Sequence, residues 1–346
     1  MTLVWKPGLI LQSPTANDPL LDLNTQPSLD LQFATSKTLN DRVSGQNLIT
    51  FSRSTTGTYV DSNGIIQTAA IDAPRFDHDP TTGESLGLLI EESRTNLLLN
   101  SETLVTQSVT VTAIAHTLSF YGNGTVTLSG THSATVVGTG GYPTRTTLTF
   151  TPTAGSLTVT VSGTVQYAQL EAGAFPTSYI PTSGSTVPRA ADVASITGSN
   201  FSRWYNQSEG TVSLSANHKG SSYFNNAIFV KFNNNSTDNQ IKVFSVATDP
   251  YLYITDSASA QAYIDGGSVT VGTPNKYAAG FALNNFALSV NGSTAVTDIS
   301  GTNPSGITQL TIGSKLSGVG QPNGHISRLT YYPYRLPDAT LQEITS

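Results

Sequence analysis

The sequence predicts an all-β protein built of sandwich modules. Three observations carry this. Apolar residues alternate with Thr and Ser over runs of about five residues, the period of a half-buried strand. Gly- and Asn-rich turns separate the runs. Charged residues make up only 11% of the 346, against roughly 25% in typical globular chains, so the polar surface is made of Thr, Ser, Asn, Gln and Gly. Such a surface suits neutral hydrogen-bonding partners such as sugars, or close packing against other subunits.

The elements follow in order. Residues 1–45 carry Pro7, Pro14, Pro19 and Pro27 and read as an extended arm. Its Trp5, Leu9, Ile10 and Leu11 lack a core of their own and are expected to anchor on another surface. Residues 46–192 form a β-rich assembly module. In "FSRSTTGTYVDSNG", Phe51–Gly64, the DSNG turn joins two strands and the stretch carries almost no reactive groups. "VTVTAI" from Val109, "TLTFT" from Thr147 and "LTVTV" from Leu157 alternate cleanly. "IPTSGSTVPRAADVASITGSN", Ile180–Asn200, reads as a linker. A second strand series fills 193–346. "TVSLS" from Thr211 opens it, and Asn291-Gly292 fits a type I′ hairpin turn. Only "LPDATLQEIT" looks helical, with Pro337 at its start and Leu341 and Ile344 three apart on one face.

Bulk properties exclude several functions. The net charge is −6 and no run of basic residues exists, so nucleic acid is not an expected partner. Apolar runs such as Leu86–Ile90 are far too short for a membrane span. The N-terminus lacks the basic start and long apolar stretch of a signal peptide. There are no cysteines, which excludes disulfides and thiolate metal sites.

Few constellations suggest chemistry. Asp72, Asp77 and Asp79 surround Arg75 and His78; they could hold a hard cation, but turn chemistry and pairing with Arg75 explain them better. Glu91 and Glu92 match a glycosidase pair by composition, yet adjacent strand residues point to opposite faces, so a structural pair with Arg94 is the better reading. None of the five histidines falls in a zinc pattern. No cofactor or metal is expected. The aromatics stand out more. Trp204, Tyr205, Tyr223, Tyr251 and Tyr253 either fill a sandwich core or stack on glycan rings, and Trp204 is the first of them to test.

Three stretches resemble a recurrent pattern of bacteriophage virion proteins: "TFSRSTTGTYVDSNGIIQTAAIDAPRFDHDP", "GLLIEESRTNLLLNSE" and "QLEAGAFPTSYIPTSGSTVPRAAD". In such proteins a jelly-roll-like module lies between the second and third. Here 103–168 holds that place inside the 46–192 module. "KYAAGFALNNFALSVNGS" and "GHISRLTYYPYRLPDATLQEIT" resemble the closing part of a concanavalin A-like (laminin-G-like) sandwich, which would occupy 193–346. The resemblance implies a non-enzymatic structural protein of the virion, a tail fibre, tail-associated adhesin or capsid decoration. It implies virion proteins as partners, a homo-oligomer (a trimer), and host-surface polysaccharide as a ligand of the C-terminal sandwich. The alternative is a glycan-degrading tailspike.

Overall fold

The computed structural model describes residues 26–220, 226–315 and 319–346. The class is all-β, as the alternation predicts. Two large antiparallel sheets face each other. One runs in the order Val296–Asp298, Asn285–Val290, Asn275–Ala282, Glu209–Ala216, Gly324–Tyr332, Ser85–Ile90, Phe76–His78, with Leu29–Leu31 also paired to Gly324–Tyr332. The other runs Thr50–Ser52, Val193–Thr197, Gln309–Ile312, Asn226–Asn233, Gln240–Val246, Asp249–Asp256, Ser259–Asp265. Period-2 alternation places Val212 and Leu214 of the first and Val230, Phe232, Val243 and Ile254 of the second in one shared core.

Between Arg94 and Arg189 the chain leaves this body and makes a smaller sandwich. A four-stranded sheet (Ala134–Val137, Thr125–Gly130, Gly155–Ser162, Gln107–Val111) packs on a three-stranded one (Thr146–Phe150, His116–Tyr121, Gln166–Ala172). Leu118, Phe120, Val126, Leu128, Leu157 and Leu170 fill its separate core.

Local signals explain several joints. Asn291 and Gly292 both have positive φ, 48° and 74°, and the Ser293 N–H donates to the Val290 carbonyl, the geometry a type I′ turn requires. Asp61 closes the DSNG turn by accepting from the N–H groups of Asn63 and Ile65, joining Gly57–Val60 to Ile66–Ala69. The closing helix, Asp338–Thr345, buries Leu341 with Ala278, Ala287, Tyr332 and Leu336 on the outer face of the first sheet.

Four expectations change. Residues 26–45 are not arm: Leu29, Leu31 and Phe33 are core residues, and Asp30 pairs with Arg328. Trp5, Leu9, Ile10 and Leu11 lie outside the described residues, as does Tyr223. The sheets cross the 192/193 boundary, because Ser85–Ile90 hydrogen-bonds to Gly324–Tyr332 and Thr50–Ser52 to Val193–Thr197. Ile180–Asn200 is not a linker, since it supplies the strands Val187–Arg189 and Val193–Thr197 and buries Ile180, Arg189 and Asp192. Trp204 and Tyr205 are not surface platforms. A short helix, Gly198–Ser202, turns the chain from one large sheet to the other and drops both rings between them. Trp204 is 4% exposed, 4.9 Å from Phe201 and 5.0 Å from Tyr331 centroid to centroid. Tyr205 stacks on Phe201 and Phe232. Trp204→Ala therefore costs about 3–5 kcal/mol of stability, read as a lower urea midpoint with an unchanged slope.

Candidate functional site

Charges of the stretches around Arg53–Arg75, Glu91–Arg94 and Arg189–Asp192 meet in one buried cluster where the small sandwich joins the large one. Arg53 Nη1 lies 3.0 Å from Asp192 Oδ1, and Arg75 bridges Asp192 and Glu91, the latter at 2.8 Å. Arg189 reaches the same Glu91 oxygen at 3.0 Å. Ser178 donates to both Glu91 oxygens, from N–H at 2.7 Å and from Oγ at 2.6 Å. Arg53, Arg75 and Arg189 are each no more than 1% exposed. Further N–H groups donate to carbonyls of Thr55, Ala70, Thr58 and Glu92, while the Nε groups of Arg75 and Arg189 are buried without a hydrogen-bond partner. Beside them Arg94 pairs with Glu92, approaches Glu171 and covers the Phe175 ring. Gly173, at φ 138°, leaves room for that guanidinium, which any Cβ there would overlap.

Glu91 and Glu92 do diverge, although they lie in the connection between Ser85–Ile90 and Arg94–Asn96 and not in a strand; Glu92 pairs with Arg94, and Glu91 with Arg75 and Arg189. The aspartates near Arg75 are also sorted. Asp72 accepts from the Arg53 N–H, Asp79 from those of Thr81 and Thr82, and neither meets Arg75. Among the described residues no three His, Asp or Glu side chains gather to hold a metal ion.

Burial by itself would raise the Glu91 carboxyl. The charges of Arg189 and Arg75 and the Ser178 hydrogen bonds overcome it and hold Glu91 well below the usual carboxylate range. It is an ion held in place, the opposite of a general acid.

A cleft of about 510 Å³ opens over this cluster. One wall is the hairpin at Thr58–Val60 with Asp77 and His78, the second is Tyr121, Tyr142 and Arg145 of the small sandwich, and the third is Asn217, Lys219 and His325 of the large one. The Tyr121 and Tyr142 rings lie 5.2 Å apart. His325 Nε2 donates to Asp77 Oδ2 at 2.8 Å, and Asp77 also accepts from the Val60 N–H. His78 donates from Nδ1 to the Val60 carbonyl, leaving its buried Nε2 without a hydrogen-bond partner; the Tyr142 hydroxyl is likewise buried and unpartnered. Orphaned polar atoms beside aromatic faces in a cleft suit a polyhydroxyl ligand. Sequence reasoning does not single out Tyr142, Arg145 or the Asp77–His325 pair as site residues. Only the "GGYP" turn marks Tyr142, and nothing local joins positions 77 and 325.

Of the expected glycan contacts, Tyr251 and Tyr253 sit together, half-buried on the outer face of the seven-stranded sheet and away from the cleft. Trp204 and Tyr205 are in the core.

No protein-family model and no curated protein matches the chain. Solved structures with partial likeness include the Ruminococcus gnavus IT-sialidase CBM40 bound to α2,3-sialyllactose (17% identity, 41% of this chain and 84% of that one, TM-score 0.35). A botulinum neurotoxin serotype D/C binding domain aligns at 14% identity over 45% of this chain and 41% of that one, TM-score 0.34. Trypanosoma rangeli sialidase with the inhibitor DANA aligns at 12% over 44% and 26%, TM-score 0.34. The sandwich assignment rests on the chain's own strand pairing.

Two tests follow from the cluster. Glu91→Gln removes the carboxylate of Arg189 and one of the two that Arg75 holds, leaving uncompensated positive charge in the buried cluster, and lowers stability by about 3–5 kcal/mol, measured by chemical denaturation. Because the folded-state value of Glu91 is depressed, its contribution is complete above the ordinary carboxylate pKa of about 4.3 and drains away as pH falls below it. Melting temperature is therefore flat down to about pH 5 and falls steeply below, and the acid limb is shallower in E91Q.

Proposed function

We propose that the chain is a non-catalytic structural protein of a bacteriophage particle, displayed on its surface as an oligomer, and that the cleft over the joint holds a host-surface glycan. The observation that carries this reading is the fate of the phage-like stretches. Arg53, Arg75, Glu91, Arg189 and Asp192 are spent on one another and hold two sandwiches together, a structural task and not a reactive one. Above them the cleft offers tyrosine faces and unpartnered polar atoms, the equipment of saccharide recognition. Virion proteins are the proposed partners, a trimer the proposed assembly, and the virion the proposed location.

A second reading, a glycan-degrading tailspike, draws on the Asp77–His325 pair in the same cleft. Glycoside hydrolysis commonly uses two carboxylates, one a protonated acid. Asp77 is committed to His325 and Val60, and Glu91 is held ionised.

Incubation of the purified chain with host-surface polysaccharide gives retention without released oligosaccharide. Tyr142→Ala weakens retention about tenfold, the loss of ~1.4 kcal/mol. Released oligosaccharide would establish the tailspike reading, and no retention from any susceptible host would sink glycan binding. Cross-linking of intact particles recovers the chain joined to other virion proteins and to itself.

A further inference from the structure

The outer face of the seven-stranded sheet carries an arrangement that folding alone does not favour. In Asn226–Asn233, Val230 and Phe232 point into the core, so Lys231 points out. It stands directly opposite Lys242 in the neighbouring strand. Like charges so placed are destabilising. Lys231 is also 1% exposed, and among the described residues its ammonium meets no carboxylate and no hydrogen-bond acceptor. Lys242 has no carboxylate either. Its ammonium sits 3.6 Å from the Phe244 ring centroid and 5.3 Å from that of Tyr253. Burial, with Lys315 adding to it, lowers Lys231 to about 8, and burial with Lys315 and Lys231 does the same to Lys242. An unpaired ammonium on so enclosed a side chain costs stability that an apolar residue of similar size would restore. Such breaches of the folding rules concentrate at functional sites.

The same cross-strand row continues into aromatic rings. Lys242 is opposite Tyr253, and Tyr253 opposite Tyr263. Tyr263 stacks on Tyr251 at 5.0 Å and is 57% exposed. Tyr253 meets Tyr263 edge-on at 5.6 Å, so a tyrosine cluster with an exposed ring adjoins two cations that have no anion among the described residues. We propose that this face binds an anionic saccharide, its oxyanion against Lys242 and Lys231 and its ring on Tyr253 and Tyr263. The site is separate from the cleft and stands independently of it. A uronic-acid carboxylate and a sugar phosphate share the required chemistry.

The test titrates the full chain at low salt with three probes: an oligogalacturonate, a hexose phosphate and a neutral maltooligosaccharide. Binding of an acidic probe, with the neutral one at least tenfold weaker, is expected; which acidic probe binds names the source. Lys231→Met and Lys242→Met each weaken that binding at least tenfold. K231M meanwhile melts at or above wild type, by about 2 °C, because it removes an unpaired buried charge. The proposal is overturned if neither acidic probe binds, if the neutral probe binds as well, or if binding survives both substitutions. A K231M melting temperature below wild type would also overturn it, by assigning Lys231 to the fold.

Discussion

The structure depends on the contact between Arg75 and its two carboxylates, Glu91 and Asp192. Arg75 closes the end of the large sandwich, Glu91 follows the strand Ser85–Ile90, and Asp192 precedes Val193–Thr197 in the opposite sheet. One guanidinium thus ties both large sheets to each other. Through Ser178 and Arg189 it also ties them to the segment returning from the small sandwich. Such a cluster is a poor source of net stability, since desolvation offsets most of the attraction. What it supplies is direction. Each planar guanidinium accepts few arrangements of partners, so the pieces meet in one geometry.

This resolves a puzzle of composition. A chain with so few charges hides a large share of them. The surface is left to Thr, Ser, Asn and Gly, and the charges stand where their geometry is used. Two lysines of the outer sheet face are the exception, Lys231 and the half-buried Lys242, which meet no carboxylate among the described residues, while the arginines of the joint have theirs.

Legibility follows range. Short alternating runs give strands close to where they lie: Thr147–Thr151 within a residue of Thr146–Phe150, and Leu157–Val161 inside Gly155–Ser162. Asn291-Gly292 and the Pro337 helix are readable because a turn and a cap are local. Pairings of distant segments are not. Leu29–Leu31 lies against Leu329–Tyr331, three hundred residues on by chain number, and no local pattern encodes that. For the same reason Leu29, Leu31 and Phe33 read as arm although they are core, and the Ser/Pro-rich stretch before Val193 reads as linker although its Arg and Asp are fixed by remote partners. Trp204 and Tyr205 show the limit for sites: an aromatic after a turn can face in or out, and only the opposing sheet decides. Lys231 carries a local signal of its own, a lone cation inside "IFVKFN", but its missing partner shows only once the strands are paired.

The path of the chain into and out of the small sandwich bears on inheritance. Leu97 N–H donates to the Leu170 carbonyl and Leu104 N–H to that of Val165, while Asn96 Nδ2 spans the carbonyls of Ala168 and Ile180. Entry and exit therefore run side by side, stitched together at the rim, with the hydrophobic interior of the small sandwich wholly its own. A folded unit attached at two adjacent points behaves as a cassette. An exchange that spans the whole unit, from after Asn96 to after Ala172, can replace it with another domain of similar end-to-end spacing while Arg53, Arg75, Glu91, Arg189 and Asp192 all stay in place, so chains of this architecture can differ in the middle while agreeing on either side.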